Sequence, residues 1–399
     1  MSGSDTTRPS PDDLRGYLRG VIDPELGSDI VDLGMVRNIT IDHDGAVVVT
    51  VALTTAGCPL RAQIQRDIRN RVGSAPGVTS VKIDWGEMTD AERTRAMDRA
   101  RFNVSQRPED TSVALTTRVV LVASGKGGVG KSSVTANLAA ALATKGLKVG
   151  VLDADVWGFS IPRMLGLEGR LAARLDGEHK MMVPLERRIG DGVVRVVSMG
   201  LLVEDEETAL MWRGLMLNRG VQHFLQDVDW GNDLDYLLVD MPPGTGDVQM
   251  GVAKLIPRAE VIVVTTPAVA AQKVAIRAVS MARKSYLRVA GAIENMTSFT
   301  CEHGESYALF GSGGGQNLAD TAGIPLLGQI PIENAVAQGG DVGEPAVLGN
   351  GAASDAFRAI ADRIVTETVP PTELAGCSAR MLEAAVAALD AADEVEASA

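Results

Sequence analysis

The sequence predicts an α/β architecture, a doubly wound and mostly parallel sheet preceded by a small α+β domain, and three observations lead there. Seven apolar runs, RVVLVAS, KVGVLDAD, VVRVVSMG, LDYLLVD, EVIVVTT, VAGAIEN and PLLGQIP, recur between residues 118 and 331. Most are continuous instead of alternating, as expected of strands covered on both faces. Helical stretches separate them, so they read as βαβ units. The composition agrees: of 399 residues 45% are hydrophobic and only 4% aromatic, which implies aliphatic cores.

Taken in order, residues 1–12 read as a disordered start and 13–88 as the small domain. That domain opens with an amphipathic helix from Asp13 to Val21 and a turn at DPELG, followed by the run DIVDLGMVRNITID. Asp44-Gly45 marks a hairpin turn into AVVVTVALT. A helix from CPLRAQIQRDIRNRV and a short strand VTSVKIDW complete an α-β-β-α-β order. Residues 89–114 are charged and read as a polar, partly helical linker, and 115–367 form the doubly wound domain. The tail, 368–399, sets Glu373, Glu383, Asp390, Asp393, Glu394 and Glu396 against Arg380 alone, the pattern of a short helix and an acidic end.

Net charge is -13, so the surface repels polyanions, and neither nucleic acid nor an anionic membrane is an expected partner. The plainer role of that charge is solubility. No apolar run approaches the ~18 residues of a membrane span. The first residues lack a basic region followed by an apolar stretch, which argues against a secretory signal. Three widely spaced cysteines, Cys58, Cys301 and Cys377, suit a reduced, cytoplasmic protein whose thiols serve packing, metal or redox roles.

The strongest signal is GKGGVGKS, Gly125 to Ser132, placed after an apolar strand and before the helix SSVTANLAAALATKG. Gly-x-x-x-x-Gly-Lys-Ser in that context is a P-loop. Gly125, Gly127, Gly128 and Gly130, with Val129 between, let backbone N–H groups wrap a phosphate without Cβ atoms in the way. The helix start at Ser132 and Ser133 adds its partial positive charge. Lys131 would reach the β- and γ-phosphates of ATP, and the Ser132 hydroxyl would bind Mg²⁺. Lys126 lies inside the loop, where an ordinary P-loop needs no lysine. Asp153 and Asp155 end one strand and Asp240 another, with the tight loop MPPGTGD following. A lone strand-end Asp more often caps a turn, but three beside a P-loop favour Mg²⁺ and hydrolysis.

Together KGGVGKSS, DADVWGFSIP, RGLMLNRGVQHFLQDVDWG, DYLLVDMPPGTGDVQ and ENM…FGSGGG resemble the Mrp/ApbC iron–sulfur cluster carrier ATPases. These belong to a wider group with a deviant Walker A motif that includes the nitrogenase iron protein and the MinD/ParA proteins. Residues 13–88, through DPELG, DLGMV and TTAGCP, are similar to the iron–sulfur assembly (MIP-type) domain often fused to them. The resemblance implies a homodimeric, slow ATP hydrolase that carries an iron–sulfur cluster, of the four-iron type, to apo client proteins within the assembly machinery. It further implies that Lys126 reaches the partner's nucleotide, that Asp155 positions the attacking water, and that Asp153 and Asp240 surround the Mg²⁺. Asn295 would sit beside the adenine ring, and PPGTGD would sense the γ-phosphate.

In the family, the position of TCEHGE carries Cys-x-x-Cys, so two subunits supply four thiolates to one cluster. Here Cys301 matches the first cysteine and Gly304 replaces the second. His303 can add imidazole ligation, as in Rieske centres, and a free thiol without metal is the alternative. Cys58 stands at a strand–helix junction, where a lowered thiol pKa suits a cluster ligand, and a buried core cysteine is the rival reading. A positioning ATPase of the MinD/ParA kind would need a basic C-terminal helix or a basic face, against which the acidic tail counts. A regulatory nucleotide switch that has lost its cluster remains the other alternative.

Overall fold

The computed structural model describes residues 8–23, 26–54, 60–105, 111–155, 158, 160–176, 179–202, 214–244 and 247–372. The chain separates into two compact units, one ending at Pro108 and the other spanning Glu109–Pro371. Of the expected disordered start, 1–12, residues 1–7 lie outside the described residues, as do 373–399 of the expected tail, Cys58 and Cys377, whereas Pro11 and Asp12 are helical.

The first unit opens with α1 (Pro11–Leu18). Its helix starts two residues before the expected Asp13 because Ser10 and Asp13 form a capping box with Pro11 in the first turn. Two short strands, β1 (Ile22–Asp23) and β2 (Ser28–Asp29), pair antiparallel; Pro24 and Glu25 of the expected DPELG turn lie outside the described residues. β3 (Val36–Ile41) runs antiparallel to β4 (Ala46–Leu53) through the turn at Gly45, whose φ is 81°. α2 (Arg61–Gly73) then crosses to β5 (Ser80–Glu87), which pairs parallel with β4. Ile64, Ile68 and Val72 of the helix join Leu14, Leu18, Val49 and Val51 in one core.

Residues expected as a linker form α3 (Asp90–Ser105). Among the described residues its buried positions, Ala96 and Ala100, carry too little side chain to give a clear apolar period, yet both join that core. Arg99 to Asp32 at 2.8 Å and Arg37 to Glu92 at 2.7 Å tie the helix down.

The second unit is the doubly wound sheet. Its strands and helices in order are β6 (Arg118–Ser124), α4 (Lys131–Ala143), β7 (Lys148–Asp153), α5 (Ile161–Met164), the separate hairpin β8 (Ala172–Asp176) and β9 (His179–Val183), β10 (Leu185–Ile189) and β11 (Gly192–Ser198). There follow α6 (Gly214–Gln226), β12 (Tyr236–Asp240), α7 (Asp247–Leu255), β13 (Glu260–Thr265), α8 (Val269–Lys284) and β14 (Arg288–Thr300). β15 (Ser306–Tyr307), α9 (Gly314–Ala322), β16 (Leu326–Ile332), α10 (Asn334–Val342) and α11 (Ala352–Arg363) complete it.

The sheet order is β10-β11-β7-β12-β6-β13-β14-β15, with β16 also on β14; β10 and β15 are its antiparallel members. All seven predicted strands are present. β12 and β13 are buried at every residue, which is why they read as continuous apolar runs. The sequence signal missed β10 and the β8–β9 hairpin because their charged stretches, such as LERRI and AARLD, look like loop. Two aliphatic cores cover the two faces of the sheet, one built on Phe224 and Trp230, the other on α4 and Phe357.

Candidate nucleotide site and cysteine turn

β6 ends at Ser124, the loop Gly125–Gly130 follows, and α4 begins at Lys131. No side chain caps α4, so its first amides stay open to an anion. Gly130 has φ 78°, and a Cβ there would meet the Asn295 Nδ2 at 2.3 Å, so both conformation and space require glycine. The same Asn295 amide donates to the Val129 carbonyl at 2.9 Å. Ser124 Oγ donates to the Lys126 carbonyl at 3.0 Å, while the Lys126 side chain, Gly127 and Gly128 are exposed.

Strand register brings the acids together. β12 lies between β6 and β7, and Asp240 is the direct neighbour of Asp153 at the carboxyl ends of these strands. Asp240 is fully buried and accepts from Ser132 Oγ at 2.6 Å, Lys131 Nζ at 2.8 Å and Thr135 Oγ1 at 2.9 Å. Lys131 also lies 3.9 Å from Asp155. Asp153, equally buried, accepts from Ser198 Oγ at 3.1 Å, the Ser160 amide at 3.1 Å and the Asp155 amide at 3.2 Å. Burial first, and the Asp240 charge second, push the Asp153 carboxyl up to about 7.

Two carboxylates on the Lys131 ammonium, with a third buried acid beside Asp240, make a nearly dry, acid-rich corner, an environment that favours an added cation. The donors present, a hydroxyl and carboxylates, are hard oxygens of the kind Mg²⁺ prefers. Among the described residues no three His, Cys, Asp or Glu side chains form a complete metal cage. A bound Mg²⁺ would therefore take its remaining ligands from phosphate oxygens and water.

Beside the loop opens a cleft of about 400 Å³ lined by Gly130, Ser133, Asn295, Met296, Ile332 and Val336, apolar enough for a planar base. The loop after Asp240 places the Gly244 amide on the Ser124 carbonyl at 3.2 Å; Thr245 and Gly246 of PPGTGD lie outside the described residues.

β14 is buried through Asn295, half-buried from Met296 to Phe299 and exposed at Thr300. Cys301 then starts a tight turn: its amide donates to the Glu305 carbonyl and the Gly304 amide donates to the Cys301 carbonyl, both at 2.9 Å. Gly304 has φ 82°, so the position at which the resemblance implies a second thiol is the left-handed residue closing the turn. Cys301 is half-buried and His303 exposed in that turn. Tyr307, Leu309 and Phe310 stand exposed just beyond it. The structure thus gathers Lys131, Ser132, Asp153, Asp155, Asp240 and Asn295 at one corner, and Cys301 and His303 at another. Sequence reasoning missed Thr135, one helical turn beyond Lys131, and Glu294, whose neighbours are separated widely in the chain.

Residues 116–365 match the family described as NUBPL iron-transfer P-loop NTPase, and residues 11–85 match the one described as iron–sulfur cluster assembly protein. The iron–sulfur cluster carrier protein of Mycobacterium tuberculosis is 43% identical over 367 residues, covering 88% of this chain and 92% of its own. That of Deinococcus radiodurans is 42% identical over 353 residues, covering 88% and 93%. Among solved structures, a nucleotide-binding protein in complex with ADP from Archaeoglobus fulgidus matches at 36% identity and a TM-score of 0.49, over 60% of this chain and 91% of that one. With the family match spanning more than half of its length, and relatives above 40% identity across most of it, this chain belongs to the iron-transfer P-loop NTPases, whose relatives here are named iron–sulfur cluster carrier proteins.

Proposed function

We propose that this chain binds and slowly hydrolyses Mg·ATP and, as a cytoplasmic homodimer, holds an iron–sulfur cluster for delivery to apo client proteins. The observation that carries the nucleotide half is the convergence of Lys131, Ser132 and Thr135 on buried Asp240 beside an uncapped helix start. Lys131 would serve the phosphates in place of Asp240, and Ser132 and Asp240 would hold Mg²⁺, with Asp153 behind them. When bound, Mg²⁺ would neutralise phosphate charge. Asp155, at the half-buried rim near Lys131, would orient the attacking water. Lys126 is exposed and so can reach a second subunit's phosphates. Asn295 spends its Nδ2 on the P-loop, leaving Oδ1 as the atom that can face a base.

Family membership and the exposed Cys301 turn support the carrier half. Two subunits would bring two Cys301 thiolates and two His303 imidazoles to one cluster, with Cys58 as the other candidate ligand. Anaerobic reconstitution with iron and sulfide, read by absorption and iron per dimer, tests it in wild type, Cys301→Ser, His303→Ala and Cys58→Ser. Cluster uptake lost in Cys301→Ser supports the turn. Loss in Cys58→Ser alone moves the cluster to the first unit, and no uptake by wild type overturns the carrier reading. In that last case a regulatory nucleotide switch, the reading favoured by Gly304 at the second thiol position, takes its place.

A further inference from the structure

Glu294 is a fully buried carboxylate that takes no part in the nucleotide corner. Its Oε1 accepts from the Gly315 amide at 2.7 Å, and its other oxygen accepts from the Gln329 carboxamide, its cross-strand partner on β16. The run Gly313–Gly315 lets the start of α9 lie on it: a Cβ at Gly315 would come within 2.6 Å of the Glu294 Cβ. The partial positive charge of that helix end offsets part of the cost of burying the carboxylate. Glu294 therefore fixes the neck from which the chain runs out to the Cys301 turn and back into α9.

Immediately beyond this fixed point the strand is irregular. From the pair Asn295↔Ile330 to the pair Phe299↔Ile332, four steps along β14 face two along β16. Met296 within this bulge has φ 59°, in a region that costs a non-glycine residue about 1 kcal/mol. In a regular strand, neighbouring side chains point to opposite faces. Here Asn295 and Met296 both line the cleft, and both approach Gly130. Bulges re-aim side chains in this way beside active sites. The segment thus has a clamped end at Glu294, a hydrogen bond from Asn295 to the Val129 carbonyl, and an exposed end at Thr300, next to the half-buried Cys301.

We propose that Glu294 is a positioning residue, and that the bulge it anchors transmits the nucleotide state of the P-loop to the Cys301 turn. A shift of Val129 on phosphate binding pulls Asn295. Because Glu294 holds the strand on its core side, the displacement passes outward to Met296–Thr300 and alters the exposure of Cys301. The proposal rests on nucleotide binding as read above, and it needs no bound cluster.

The test uses the full apo chain at limiting iodoacetamide, with alkylation of each cysteine-containing peptide followed by mass spectrometry. Rates are compared without nucleotide, with Mg·ADP and with a non-hydrolysable Mg·ATP analogue, and affinity is titrated separately with a fluorescent nucleotide. In wild type, saturating nucleotide is expected to change the Cys301 rate about five-fold or more, the lower range of an allosteric coupling. Glu294→Gln is expected to bind nucleotide as tightly as wild type while the Cys301 response shrinks below about two-fold. Gln329→Leu, which removes a donor to Glu294 from an exposed position, should lower the response in the same direction, and it serves if Glu294→Gln does not fold. A wild-type Cys301 rate that stays flat at nucleotide saturation overturns the coupling alone, as does a full response in both variants. Absence of nucleotide binding overturns the functional reading and the coupling with it.

Discussion

At the P-loop corner the buried acids are each held by several donors, Asp240 by three and Asp153 by a hydroxyl and backbone amides, and Asn295 donates to the Val129 carbonyl. At the Cys301 turn two backbone hydrogen bonds and one left-handed glycine close a loop that is exposed from Glu302 to Glu305, with Cys301 half-buried. The contrast fits two tasks. Phosphate and Mg²⁺ need a preorganised, water-poor corner in which charges are strong. A group handed on to another protein must be reached from outside, so its ligands belong on an exposed segment that few contacts restrain.

Breaking the constrained side should give the largest effect. Lys131→Ala removes the only lysine between two acids, and hydrolysis is expected to fall about 10²- to 10³-fold in a phosphate-release assay. The uncompensated Asp240 should also lower the unfolding free energy by about 3–5 kcal/mol in urea titration. Undiminished hydrolysis would remove Lys131 from the site.

A pH series sharpens the same side. Burial, with the Asp240 charge beside it, pushes the Asp153 carboxyl from the ordinary carboxylate range up to about 7, so the fold prefers it protonated. Its contribution is full below about pH 4, declines as pH rises towards about 7, and is constant above that. Without nucleotide or Mg²⁺, the wild-type urea midpoint should fall across this window relative to Asp153→Asn. Parallel midpoints for the two proteins would contradict the buried-acid account.

On the exposed side, Gly304→Cys should cost only about 1 kcal/mol, because φ is positive but the space beyond is open. The variant should raise iron per dimer after reconstitution by supplying the second thiolate. Unchanged iron would mean that turn geometry, and not ligand number, limits uptake there.

Much of this was legible because it depends on local order. GKGGVGKS between an apolar strand and a helix announces its loop through residue type alone, and the acids at the ends of KVGVLD and YLLVD stand at strand termini by hydrophobic pattern. Helix α3 was legible only as a partly helical linker, since the residues that join it to the core among those described are two alanines in a charged run. Glu294 was not legible, since its meaning lies in Gly315 and Gln329, joined to it only when β16 and α9 pack on β14.

By itself the sequence determined the buried strands of the sheet, the P-loop, the absence of a second cysteine at residue 304 and the acidic balance, because apolar period, glycine spacing and charge are carried residue by residue. Only the tertiary structure decided that Asp153 and Asp240 are neighbours, since that follows from β12 inserting beside β7. It alone decided that Asn295 braces the phosphate loop and that Gly304 is a turn-closing residue. Those facts depend on which strands lie side by side and on a backbone φ, and neither is encoded in the identity of any single residue.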